Sequence, residues 1–223
     1  MSGTFLKFLA LVCMTVDHVG MVFFPEQIIF RQIGRLAFPI FAYMIAEGCH
    51  HTHRMGSYLG KMVLAGAVCQ AVYYFFMDSL YQSVLVTFSL AIALIWLLKK
   101  AREGSSGFWY VLSLCGIAAV YFVTERLASY LPGTDYAVDY GFFGVMLPVA
   151  VYLGRTKGEK LTLAAIVLLA LAMVTGTVQF YALLTLPLLA LYNGKRGKGL
   201  GKYFFYIYYP LHLVVIQIVA YFI

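Results

Sequence analysis

The chain has 223 residues, 63% hydrophobic and 11% charged, with mean hydropathy +0.87 and a formal net charge of +7. Such an apolar, charge-poor composition excludes an ordinary soluble domain, and the basic excess does not argue for nucleic acid because the basic residues share no soluble face. At roughly 20 helical residues per bilayer crossing, this length holds about eight to ten spans in one all-α polytopic transmembrane bundle, read as a single domain over residues 1–223.

The first apolar run, "FLKFLALVCMTVDHVGMVFF", predicts a span over 4–24. Its short start carries Lys7 but no small-residue cleavage pattern follows, and Asp17-His18 interrupts what would be a signal peptide's apolar stretch, so the segment is read as retained. Apolar run length, with Gly, Pro and charge clusters as boundaries, then predicts spans over 30–48, 58–77, 82–98, 107–123, 137–153, 161–175, 177–192 and 203–222, nine in all. The seventh and eighth are short and separated only by "TGT", so a tight re-entrant pair is the alternative. The runs are too long and continuous for the ten-residue alternation of a membrane barrel.

With the N-terminus inside, 13 of the 16 basic residues fall on cytoplasmic segments. Only Arg31, Arg35 and Arg126 fall on the outer side, while Glu26, Asp78, Glu125, Asp135 and Asp139 all belong there. The asymmetry predicts a cytoplasmic N-terminus. Cys13, Cys49, Cys69 and Cys115 are scattered singly, without the spacing of a zinc or redox pair, and are read as small buried hydrophobes. The run "CHHTHR" offers His50, His51 and His53 without an acidic partner in a facial arrangement, so no metal site is expected.

An ionisable group inside a bilayer costs at least a few kcal/mol, so those that remain are functional candidates. Counting about 1.5 Å of rise per residue from Thr4, Asp17 and His18 lie roughly 20 Å in, about 10 Å beneath the outer surface. Arg31 and Arg35 are four apart, hence on one helix face at the same level. Asp139 and Tyr140 open the sixth span from that side, and His212 follows Pro210 near the middle of the last. One polar cluster in the outer half is the expectation. Asp17 and His18 differ by about 100° around a helix and cannot both address one spot, so one of them is expected to face an arginine. Glu47 is a candidate at the inner end of the second span, with Lys61 or Arg54 as an alternative ion-pair partner.

The segments "LKFLALVCMTVDHVG", "RQIGRLAFPIFAYMIAEGCHHTHRMGSYLGKM", "DYGFFGV" and "GKYFFYIYYPLH" together resemble the TraX family of conjugative pilin acetylases. The family's Asp-His pair falls on Asp17 and His18, its IGR-x-AFP segment on Ile33 to Arg35 and Ala37 to Pro39, and its Glu-Gly on Glu47 and Gly48. Its Asp-Tyr-Gly falls on Asp139, Tyr140 and Gly141, and its Pro-x-His on Pro210 and His212. The chain departs from the pattern at Cys69, Val72, Ser83 and Ala91, which bears on the acceptor more than on the chemistry.

The resemblance implies transfer of an acetyl group from acetyl-CoA to an acceptor amine or hydroxyl at the membrane: a protein N-terminus, a lipid or a glycan. His18 would act as base or nucleophile, Asp17 would orient it or balance Arg35, and Arg35 with Arg31 would stabilise an oxyanion. Asp139 and His212 are second candidates for handling the proton, and Tyr140, Glu47 and Arg31 for substrate binding. The basic segment "GKRGKGLGK", with Lys198 and Lys202, and the run "KKAR" at 99–102 are flexible or basic enough to hold a phosphate-rich donor. The alternatives are a proton-coupled transporter and a noncatalytic membrane partner of an assembly system.

Overall fold

The structure, a computed structural model, describes residues 1–104, 107–199 and 204–222. It is all-α, with no named strand among the described residues. Among the described residues, seven helical stretches are long and apolar enough to cross a bilayer: Gly3–Phe23, Ile28–His51, Met55–Met77, Val84–Glu103, Phe108–Tyr130, Lys157–Thr175 and Phe204–Phe222. Two apolar stretches, Gly141–Leu153 and Thr177–Ala190, are shorter. Each of the nine predicted spans corresponds to one of these, seven at full length. The chain is thus a multi-pass membrane protein, and its exposed large side chains agree: Phe5, Phe8, Val12, Leu114, Met173 and Val174 turn apolar surface outward, as lipid requires.

The chain forms two compact units, Met1–Met44 with Gly154–Ile223, and Ile45–Leu153. In the first unit, helix α1 (Gly3–Phe23) buries Gly3, Leu6, Ala10, Cys13 and Met14, a stripe at helical spacing. Its start is capped twice. The Ser2 hydroxyl accepts from Phe5 N at 3.3 Å, and the carbonyls of Lys195 and Arg196 take the N–H groups of Gly3 and Thr4, both at 2.9 Å.

The second predicted span is two helices, α2 (Ile28–Gly34) and α3 (Ala37–His51), interrupted at Arg35 and Leu36. Pro39 explains the break: it has no N–H for the carbonyl four residues back and its ring clashes there, so the backbone turns at Arg35–Leu36 and Pro39 falls in the first turn of α3, where proline is tolerated. Thr185 Oγ1 lies 3.5 Å from the Leu36 carbonyl.

Helix α8 (Lys157–Thr175) starts on a reciprocal cap. Thr156 Oγ1 accepts from Glu159 N at 3.2 Å, and Glu159 Oε2 reaches back to Arg155 N at 2.8 Å. After Gly176 a tight 3₁₀ stretch, Thr177–Leu184, leads into the short helix α9 (Thr185–Ala190). Lys157 Nζ caps the end of α9 by donating to the carbonyls of Ala190 and Tyr192. Helix α10 (Phe204–Phe222) passes through Pro210 without breaking and packs on α1.

The second unit centres on α5 (Val84–Glu103), which packs against α4 (Met55–Met77), α6 (Phe108–Tyr121) and α7 (Gly141–Leu153). Beyond α6 the helix widens over Phe122–Arg126 and tightens over Leu127–Tyr130, which carries the fifth stretch past its predicted end. Of the four cysteines, Cys13, Cys49 and Cys69 are buried as expected. Cys115 is exposed instead, on a helix whose outer face is as apolar as its inner one, so a small hydrophobe fits either side.

Candidate active site

Asp17 and His18 leave α1 in different directions and meet different helices. Asp17 faces α2, where its Oδ1 lies 3.0 Å from Arg31 Nη1, with the carboxylate 14% and the guanidinium 33% exposed. The helices meet this closely because two glycines remove the Cβ atoms between them. A Cβ on Gly34 would stand 2.3 Å from Asp17 Cβ, and one on Gly20 would stand 2.1 Å from Phe30 Cβ. Arg31 makes this ion pair. Arg35 closes α2 with its N–H on the Arg31 carbonyl at 3.1 Å, is half-buried, and adds its charge to that of Arg31 at Asp17.

His18 faces α10. Its Nδ1 lies 2.7 Å from His212 Nε2, and His212 Nδ1 lies 2.9 Å from the carbonyl of Tyr208. A carbonyl only accepts, so His212 Nδ1 carries the hydrogen; in a neutral ring its Nε2 then accepts, and His18 Nδ1–H donates. That chain of partners leaves the lone pair of neutral His18 on Nε2. Arg31 also acts electrostatically on His18, so the two branches of the site share one field.

Aromatic rings hold the pair in place. The Tyr208 ring stacks on His212 at 5.3 Å between centroids and 11° between planes, and Tyr209 meets it edge-on at 5.4 Å and 77°. The Tyr208 hydroxyl lies 2.8 Å from Thr15 Oγ1, whose own hydrogen goes to the Leu11 carbonyl at 2.9 Å, so the phenol is the donor. His212 is buried at 6% exposure, while His18 is half-buried.

Asp139 and Tyr140 belong to the second unit. Tyr81 donates its hydroxyl to Asp139 Oδ1 at 2.8 Å, and Thr87 Oγ1 donates to the Asp139 carbonyl at 2.7 Å. Burial, and then the Asp139 carboxylate beside it, push the Tyr81 phenol above its usual range. Tyr140 and Gly141 take φ of 62° and 54°, successive left-handed residues. For a tyrosine this conformation costs about 1–3 kcal/mol and needs support from its surroundings. Support comes from Gly141 N on the Val138 carbonyl at 2.8 Å and from Glu125, whose Oε1 accepts Phe142 N at 2.8 Å and so caps α7.

Glu47 Oε2 lies 3.9 Å from His51 Nε2, one turn on along α3. His50 stacks on Tyr152 at 4.3 Å, and among the described residues no group of His, Cys, Asp and Glu is arranged to hold a metal ion. Lys198 is exposed beyond α9, whereas Lys202 lies outside the described residues.

Thr15, Gly20, Gly34 and Tyr208 lie within the quoted motifs, but their roles depend on what faces them across the helix pairs, and nothing in the sequence marked Tyr81, Thr87 or Glu125 as organising Asp139 and Tyr140. Thr15 lies one turn before His18 and Tyr208 one turn before His212, a spacing that could have flagged both.

The sequence profile of the TraX protein family matches residues 2–220. A probable fimbrial assembly protein, FimC of serogroup H1 from Dichelobacter nodosus, is 27% identical over 95% of this chain and 92% of its own length. Protein TraX of Escherichia coli is 26% identical over 96% of this chain and 86% of its own. No solved structure matches. With a profile match over nearly its whole length, this chain belongs to the TraX family.

Proposed function

We propose that this protein is a membrane-embedded acetyltransferase, moving an acetyl group from acetyl-CoA to an amine or hydroxyl of an acceptor held at the bacterial inner membrane. The observation that carries the proposal is the hydrogen-bonded imidazole pair. His212, fixed by the Tyr208 carbonyl, holds His18 in the tautomer whose Nε2 is basic, the part an aspartate plays in a Ser-His-Asp triad.

In the transfer, His18 Nε2 takes the proton of the acceptor N–H or O–H as the acceptor attacks the thioester carbonyl. The new N–C or O–C bond forms, the C–S bond breaks, and the proton passes to the departing thiolate. Asp17, Arg31 and Arg35 together carry a net positive charge beside the pair, which favours negative charge developing on the attacked oxygen. Asp17 positions Arg31. The basic residues around Lys198 suit the phosphates of the donor.

The name of the Dichelobacter relative supports a pilus or fimbrial subunit as the acceptor. The same name suits a noncatalytic assembly partner, and one experiment separates the two. Purified protein is incubated with radiolabelled acetyl-CoA and a membrane acceptor fraction, wild type beside His18→Ala. General-base removal is expected to lower transfer by about 10²–10⁴-fold. Equal transfer by both removes His18 from the chemistry.

A further inference from the structure

In the second unit a cleft of about 270 Å³ opens where the turn between α3 and α4 meets the last two turns of α5. His53 and Arg54 line it from the turn, and Trp96, Lys99, Lys100 and Glu103 from the helix. Three permanent cations thus face one carboxylate. That carboxylate is a weak counter-ion: Glu103 Oε1 stands 3.9 Å from Lys99 Nζ and its side chain is 66% exposed. Lys100 is held by two indoles, with Nζ 4.6 Å from the Trp109 ring centre and 5.5 Å from that of Trp96. An aromatic face restrains an ammonium without neutralising it, so the charge is preorganised toward the cleft.

Basic residues at helix ends ordinarily do no more than set topology. These come from two segments far apart in sequence and converge on one concave wall, which topology does not require. A phosphomonoester carries about −1.5 to −2 at neutral pH, matching the surplus of two positive charges. Ligand pockets run to about 300–1,000 Å³, so this volume suits one phosphate and the group next to it rather than a whole cofactor. The cleft also opens on the side that the distribution of basic residues assigns to the cytoplasm.

We propose that this cleft is a seat for a phosphate group. Two sources have that chemistry: the 3′-phosphate and pyrophosphate of coenzyme A, and the headgroup of an anionic phospholipid. The first rests on the acetyl-transfer reading and the second does not.

Binding of coenzyme A, its 3′-dephospho form and short-chain phosphatidic acid is measured by calorimetry on the full chain in zwitterionic detergent. Wild type is compared with Lys99→Gln/Lys100→Gln and with Glu103→Gln. Losing two charge-assisted contacts is expected to weaken the true ligand about tenfold or more. Removing the carboxylate is expected to tighten it severalfold, a gain that a misfolded variant cannot give, and added salt is expected to weaken it. Response of coenzyme A assigns the donor, with the dephospho form showing whether the 3′-phosphate is the seated group. Response of phosphatidic acid alone assigns the lipid. Equal affinities for every probe across wild type and both variants, or no binding of any probe, overturn the proposal. The transfer assay on His18→Ala and this binding assay read different sites, so either can fail while the other stands.

Discussion

Gly34→Ala adds one methyl group at the point where α2 lies closest to α1. The new carbon would stand 2.3 Å from Asp17 Cβ, Cγ and Oδ1. Non-bonded carbons rest roughly 3.5–4.0 Å apart, so the two helices must separate locally by about 1.2 Å or more. Asp17 cannot simply swing away, because one clashing atom is its own Cβ, which is fixed to the α1 backbone. Overpacking of this kind costs about 1–3 kcal/mol. The functional cost falls at the upper end of that range, since a displacement near 1 Å at a reacting centre lowers rate by about 10²-fold, or about 2.7 kcal/mol. Acetyl transfer and thermal unfolding in detergent are measured together for Gly34→Ala and for Gly20→Ala, whose added carbon would meet Phe30 Cβ at 2.1 Å. Both variants are expected to lose transfer and stability, Gly34→Ala losing more transfer because its clash falls on the site itself. Wild-type transfer and unfolding temperature in Gly34→Ala would refute the close crossing of α1 and α2.

The Asp17–Arg31 ion pair is testable by a double-mutant cycle on unfolding. Asp17→Asn is expected to cost about 1–3 kcal/mol, less than a fully buried pair because Arg31 is a third exposed, and Arg31→Gln is expected to restore part of it; additive losses would show no coupling. At the loop near Asp139, the Ser79 hydroxyl and then the Leu80 N–H hold the Asp135 carboxyl below the usual carboxylate range. A depressed folded value stabilises the pairing of this loop above the unfolded pKa of about 4 and loses that contribution as pH falls through the folded value. The protection factor of the Leu80 amide, its exchange taken relative to the intrinsic rate at each pH, is therefore expected to fall on acidification in wild type, and to be low and much less pH-linked in Asp135→Asn. Identical exchange in both would remove the contact.

Much of the architecture was legible because apolar run length reports bilayer crossing directly. Seven of the nine predicted spans have a helical stretch long enough to cross a bilayer, and the 100° between Asp17 and His18 foretold that they would part company: one meets Arg31, the other His212. Local chemistry was legible less often. Pro39 lies inside an apolar run that reads as one span, yet it breaks the helix at Arg35–Leu36. Its presence two residues into α3 was the available signal.

That Arg31 pairs with Asp17 was not legible, since it depends on where α1 and α2 cross. Nor was the pairing of His18 with His212, 194 residues away, which depends on α10 packing against α1. Tyr81 and Thr87 hold Asp139 through its carboxylate and its carbonyl, contacts that residue types alone did not signal. Two successive left-handed residues at Tyr140–Gly141 mark that segment as supported strain, a property of backbone geometry that residue types alone do not disclose.

The tautomer of His18 is the most direct point of test. With histidine labelled by ¹⁵N, the five imidazoles are resolved in the full chain at neutral pH, and His18 and His212 are assigned by difference from His18→Gln and His212→Gln. The expected spectrum shows His18 with hydrogen on Nδ1 and a bare Nε2, and His212 with hydrogen on the Nδ1 that faces the Tyr208 carbonyl. A His18 ring carrying its hydrogen on Nε2, with Nδ1 bare, would contradict its role as the base held ready by His212.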